Sequence, residues 1–100
     1  MLKIKDGIDL KELEKFGFVY ENLYSGYVKY INTGFHIIYI IVFENNSNYE
    51  KGTIKGNSNK AIDCIFKDDR LMGLCKDLVE SGLVEKVSDE WLTQELTMEK

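Results

Sequence analysis

Few residues in this chain could do chemistry, and they are scattered. His36 is the one histidine, and Cys64 and Cys75 are the two cysteines, so three side chains cannot close the four-ligand site that structural zinc needs. Asp68 and Asp69 could act as acid and base, but adjacent carboxylates ahead of a helix read first as a cap and its neighbour. His36 with Tyr30 and Glu21 across a hairpin could form a proton relay. A single histidine in a strand reads more simply as a hydrogen-bonded structural residue. Gly52-Thr53-Ile54-Lys55-Gly56 has the composition of a phosphate loop without its order, and no nucleophile elbow occurs. The expectation is a non-enzymatic protein with no metal, no cofactor and buried thiols.

The elements that must position these residues are clearer. Asp9 is placed to cap a helix over 9–16, with Glu12 three residues on to complete a capping box. Ile8 and Leu13 occupy the staple positions, and Gly17-Phe18 supply a left-handed stop with a hydrophobic fold-back. Aromatic and β-branched residues from Phe18 to Ile31, broken at Ser25-Gly26, predict two strands and a tight hairpin. Asn32-Thr33-Gly34 predicts a second turn, and Phe35–Glu44 the strongest strand. Residues 45–60 are polar, with a short strand near 53–55; residues 61–66 fit a strand or the start of a helix. Leu71, Leu74, Cys75, Leu78 and Val79 share one face of a helix over 69–81, ended by Gly82 with Leu83 folding back on Leu78. An edge strand over 84–87 and a tail helix from Ser88 complete the pattern. The expected fold is α+β: one domain, an antiparallel meander of three or four strands with two helices on one face.

A two-residue turn at Ser25-Gly26 and a three-residue turn at 32–34 set a register in which Leu23 and Ile38 face Val28. One sheet face then collects Val19, Leu23, Val28, Ile38, Ile40 and Val42. The other collects Tyr20, Tyr24, Tyr27, Phe35, Ile37, Tyr39, Ile41 and Phe43, with Asn22 and Lys29. Tyrosine suits a surface that is dry in one state and wet in another. Candidate partner-binding residues are therefore Tyr20, Tyr24, Tyr27, Lys29 and Tyr39. The simplest cover for that face is the tail helix with Trp91, Leu92 and Leu96; a second copy of the chain, making a homodimer, or a foreign protein are the other covers.

Charge is uneven. Residues 1–60 carry eight lysines and seven acids, whereas residues 61–100 carry five bases and ten acids, giving −5 of the net −4. An acidic surface disfavours direct nucleic acid binding, which needs clustered Lys and Arg. It suits a protein partner with a basic groove, and adds Asp89, Glu90, Trp91 and Glu95 to the candidate partner-binding residues. The start of the chain lacks a signal-like apolar stretch, and the longest largely apolar run, Phe35–Phe43 with His36 inside it, is nine residues against the about 20 of a membrane helix. The expected location is the cytoplasm, with no membrane partner.

The segments Lys3–Phe18 and Leu78–Val87 resemble small accessory proteins of prophages and mobile elements in Clostridium-like Firmicutes. The likeness covers both helix frames, about a quarter of the chain, while residues 19–66 depart from it. It brings no catalytic residues to map. What it implies is a phage accessory protein, and by analogy an inhibitor of host defence of the anti-CRISPR type, acting on a defence nuclease or effector complex. A sponge for a signalling nucleotide, held between tyrosines of a dimer, is the second reading; a structural or regulatory phage accessory protein is the third.

Overall fold

The computed structural model describes residues 1–59 and 66–87. The fold is α+β. Strands β1 (Leu2–Ile4), β2 (Val19–Glu21), β3 (Gly26–Asn32), β4 (Ile37–Phe43), β5 (Ile54–Ser58) and β6 (Val84–Lys86) alternate with a 3-10 helix (Leu10–Phe16) and two short helices, α1 (Asp68–Leu74) and α2 (Lys76–Glu80). β2 to β5 form an antiparallel meander in sequence order, and β1 pairs antiparallel with β6 in a second, two-stranded sheet. The expected tail helix lies outside the described residues.

The first helix forms where its caps predict, but as a 3-10 helix. The Asp9 carboxylate accepts from the Lys11 N–H at 3.0 Å, and Gly17 ends the helix at φ 90° with the Phe18 N–H donating to Leu13 O at 3.2 Å. Glu12 does not close the capping box; its carboxylate pairs with Lys15 at 2.7 Å. The second helix is broken where one was expected. Cys75, at φ −107° and ψ 31°, separates α1 from α2, just after Gly73, a poor helix former. The apolar stripe survives the break, because Leu71, Cys75 and Leu78 are all buried. Neither Asp68 nor Asp69 caps α1; Asp68 instead pairs with the Met1 amino group at 2.7 Å. Gly82 at φ 81° and the Leu83 N–H to Leu78 O bond make the expected stop.

Both predicted hairpin turns are longer than expected, and this resets the register. The first runs through Asn22–Ser25, with Ser25 itself left-handed at φ 54°. Gly26 is not a turn residue. It opens β3 opposite Phe43, where a Cβ would overlap the Val42 carbonyl oxygen and come within 2.9 Å of Phe43 Cα. In the second turn, Thr33 Oγ1 accepts from the Phe35 and His36 N–H groups, so Phe35 is an exposed turn residue and not the first of the strand. Val28 therefore faces Ile41, Tyr30 faces Tyr39 and Val19 faces Val28. The expected pairings Leu23 with Val28, Val28 with Ile38 and Tyr30 with His36 do not form. Relative to expectation the slip is odd-numbered, so β3 presents the opposite alternation to each side of the sheet.

The core lies on the face carrying Ile38, Ile40 and Val42. Leu2 and Ile4 of β1, Leu10, Leu13 and Phe18, and Leu71, Cys75 and Leu78 pack there. Leu74, expected on the buried face of its helix, packs at the core margin with Phe16, and both are half-buried. Gly56 lets the helical layer approach: a Cβ there would lie 2.5 Å from Phe66 and 2.6 Å from Leu71. Gly52, at φ 94°, joins the sheets, donating to Phe43 O and accepting from the Ile4 N–H.

Candidate protein-docking face

The opposite face of the meander has no helix on it among the described residues. Val28, Ile41 and Phe43 form a small second core there, packed under Tyr24 and Tyr39. Val28 is fully buried and Ile41 is 6% exposed, so the aliphatic floor is dry. The cover is mostly tyrosine. Tyr39 meets Tyr30 edge to face at 5.3 Å between ring centres, and Tyr49 stacks on Phe43 at 4.4 Å. Tyr49 comes from the loop between β4 and β5, which is held by the Asn46–Tyr49 bridge and by Asn46 Oδ1 accepting from the Asn48 N–H at 2.8 Å. The outermost apolar groups are Val19, Tyr30 and Tyr49, at 53%, 46% and 40% exposure.

One charge stands at each edge of this face. On β2, the Glu21 carboxylate accepts from the Tyr30 hydroxyl. That hydrogen bond, with a smaller contribution from lost solvent, pushes the Tyr30 phenol up to about 12. On β5, Lys55 Nζ lies 5.4 Å from the centre of the Tyr49 ring, a cation–π distance. The rim is thus acidic on one side and basic on the other, around a tyrosine layer.

Of the candidate residues read from the sequence, Tyr24 and Tyr39 lie on this face. Tyr20, Tyr27 and Lys29 do not join them, because the longer second turn slips β3 by an odd number of residues against β4 and so directs them to the helical side. There Tyr20 and Tyr27 meet edge to face at 5.3 Å, burial raises the Tyr27 phenol, and Lys29 sits 6.0 Å above the Phe18 ring. Asp89, Glu90, Trp91 and Glu95 lie outside the described residues. Val19, Tyr30, Tyr49 and Lys55 belong to the face and were missed. Tyr30 and Val19 follow from the register, but Tyr49 is placed by a polar loop that carries no strand alternation.

Half of the proposed proton relay exists. Tyr30 and Glu21 are joined, whereas His36 sits in the turn with Nδ1 3.4 Å from Thr33 Oγ1. Among the described residues no three His, Cys, Asp or Glu side chains gather to hold a metal ion. Cys75 is buried, and burial pushes its thiol up to about 11. It lines a cavity of about 80 Å³ with Phe16, Phe18 and Leu74, below the about 300 Å³ at which ligand sites begin. Larger clefts of about 310 and 400 Å³ lie beside Gly7 and beside Phe66, and none of these three spaces is lined by tyrosine. The acidity of residues 61–100 is not carried by the helical layer, since residues 66–87 hold four bases and five acids. No helix among the described residues is long and apolar enough to cross a membrane.

Comparison with protein-family models, curated proteins and solved structures gives no match to this chain.

Proposed function

We propose that this chain is a non-enzymatic binding protein encoded by a phage or mobile element. In this reading it works in the host cytoplasm, inhibiting a nucleic-acid-targeting defence system of the anti-CRISPR type by occupying a protein surface. The observation that supports it is the tyrosine-covered sheet face, with Tyr30, Tyr39 and Tyr49 laid over a dry aliphatic floor. Tyrosine gives large contact area at low rotamer cost and keeps a hydroxyl for the partner, which is why it is enriched where proteins meet. Direct base stacking fits less well. A single-strand binder tracks the phosphate backbone with a basic groove, and here Lys55 is balanced by Glu21. The acidic residues Asp89, Glu90 and Glu95 would add long-range attraction to a basic groove on the target.

The test uses purified defence effector complexes with this chain added in titration, reading both complex formation and cleavage of the effector's nucleic acid target. Saturable binding with loss of cleavage, weakened roughly tenfold or more by Tyr30→Asp as expected for a central interface tyrosine, supports the reading. Uninhibited cleavage across the effector classes of the native host would overturn it.

A further inference from the structure

The two edge charges of the tyrosine face point to a definite occupant. Glu21 lies on β2 and Lys55 on β5, the first and last strands of the meander, and both sides of this pairing project to the same face as Val28 and Ile41. Among the described residues neither side chain has an ion-pair partner. We infer that two copies of this chain pack face to face through their tyrosine layers, with Glu21 of each over Lys55 of the other.

The symmetry follows from the charges. Two sheets stacked face to face have their two-fold axis in the plane between them. If that axis runs along the strands, β2 of one copy lies over β5 of the other, and Glu21 meets Lys55 twice. If it runs across the strands, β2 lies over β2 and like charges meet. The first arrangement is therefore selected. The offsets are within reach. Glu21 sits in the row of Phe43 and Lys55 in the row of Ile41, two residues or about 7 Å apart along the strands. Stacked sheets lie about 10 Å apart, a gap that a glutamate and a lysine can span together.

The footprint sets the strength. Four strands of up to seven residues cover roughly 19 by 23 Å. That is roughly 440 Å² per partner, about half of the about 800 Å² that a standard stable interface buries, so a weak, reversible dimer with a dissociation constant in the upper micromolar range is expected. The interface would use the same face that the proposed function gives to a target, so a target would have to displace the second copy. The inference itself needs no target, because dimerisation is read on the chain alone.

The experiment is sedimentation equilibrium of the full chain between about 1 and 300 µM, a range that brackets micromolar association. The expected result is reversible conversion from 11.6 kDa to twice that mass. Glu21→Lys and Lys55→Glu should each weaken association about tenfold, because each places two like-charge contacts in the symmetric interface. The Glu21→Lys, Lys55→Glu double variant should recover it, a rescue that loss of folding could not give. Circular dichroism checks each variant. A chain that stays monomeric at 300 µM overturns the inference, and leaves the face to the chain's own residues or to a foreign protein. A dimer whose double variant is as weak as the single ones also overturns it, since the charges would then not meet.

Discussion

Replacing Gly26 with alanine has opposite consequences under the two ways a glycine can be used. A glycine needed only for its freedom in a turn, with φ in an ordinary region, gains about 0.4–1 kcal/mol on replacement by alanine, because the unfolded chain has fewer states to lose. Gly26 is not among the residues at positive φ, so its backbone does not forbid alanine. Its surroundings do. The new methyl would overlap the Val42 carbonyl oxygen and press on Phe43 Cα at 2.9 Å. Backbone on the neighbouring strand cannot rotate away as a side chain could, so β3 and β4 must separate by about 1 Å to restore carbon contacts of roughly 3.5 Å. Overpacking of this kind costs about 1–3 kcal/mol. The separation also loosens the two bonds that Ser25 O accepts from the Glu44 and Asn45 N–H groups, 2.9 and 3.0 Å long. At about 0.5–1.5 kcal/mol each, partial loss brings the total to about 2–4 kcal/mol. Urea unfolding followed by circular dichroism reads this directly. Gly73 supplies the control, being exposed in α1 with nothing within 4 Å of a Cβ, so Gly73→Ala should stabilise by about 0.5–1 kcal/mol. A Gly26→Ala variant as stable as the parent would refute the close approach of β3 to β4, and with it the register that assembles the tyrosine face.

Leu78, 1% exposed in the main core, should cost about 2–5 kcal/mol when cut to alanine, and a loss under about half a kcal/mol would mean α2 packs elsewhere. With Cys64→Ser in the background, Cys75 should react slowly with a thiol reagent in the folded chain and at once in urea, since burial holds the thiol at about 11. Because that value is raised above the ordinary 9.0, folding keeps a proton the unfolded chain has lost; stability contributed by Cys75 is complete below pH 9 and falls as pH rises towards 11. Ultraviolet titration should find one tyrosine ionising near 12, and Glu21→Gln should bring it back towards the ordinary value of 10.0; an unchanged titration would mean that the Tyr30–Glu21 bond does not form in solution.

Local chemistry was legible in the sequence, and distances between strands were not. Asp9, Gly17 and Gly82 mark ends of elements through hydrogen bonds within a few residues, and the helix stops stand where those residues place them. The strand alternation of Ile38, Ile40 and Val42 correctly gave the core side of β4. The faces of β3 against β4 depended on the second turn, which Asn32-Thr33-Gly34 makes look one residue shorter than it is, and the Ser25-Gly26 pair looks like a two-residue turn when read alone. Only the neighbouring strand shows that Gly26 is small to admit Val42 O. β1 was overlooked because Leu2 and Ile4 are too few to establish a period, and their partner β6 lies some 80 residues away in the chain. For the candidate face, Tyr39 was found by alternation, whereas Tyr24, which alternation groups with Tyr20 and Tyr27, reaches the face from the first turn. Tyr49 was not found, since its position comes from a polar loop, held by the Asn46 side chain and the Asn46–Tyr49 bridge, that folds back over Phe43.

The proposal that the tyrosine face serves inhibition of a host defence is tested most directly by phage plating on hosts carrying nucleic-acid-targeting defence systems. Three forms should be expressed: the parent chain, a Tyr30→Asp, Tyr49→Asp variant on the exposed face, and a Lys76→Glu variant on the exposed side of α2. The parent chain should restore plaque formation against at least one such system. The face variant, folded by circular dichroism, should lose that protection, while Lys76→Glu keeps it. A parent chain that protects phage against none of these systems, or a folded face variant that protects as well as the parent, would contradict it.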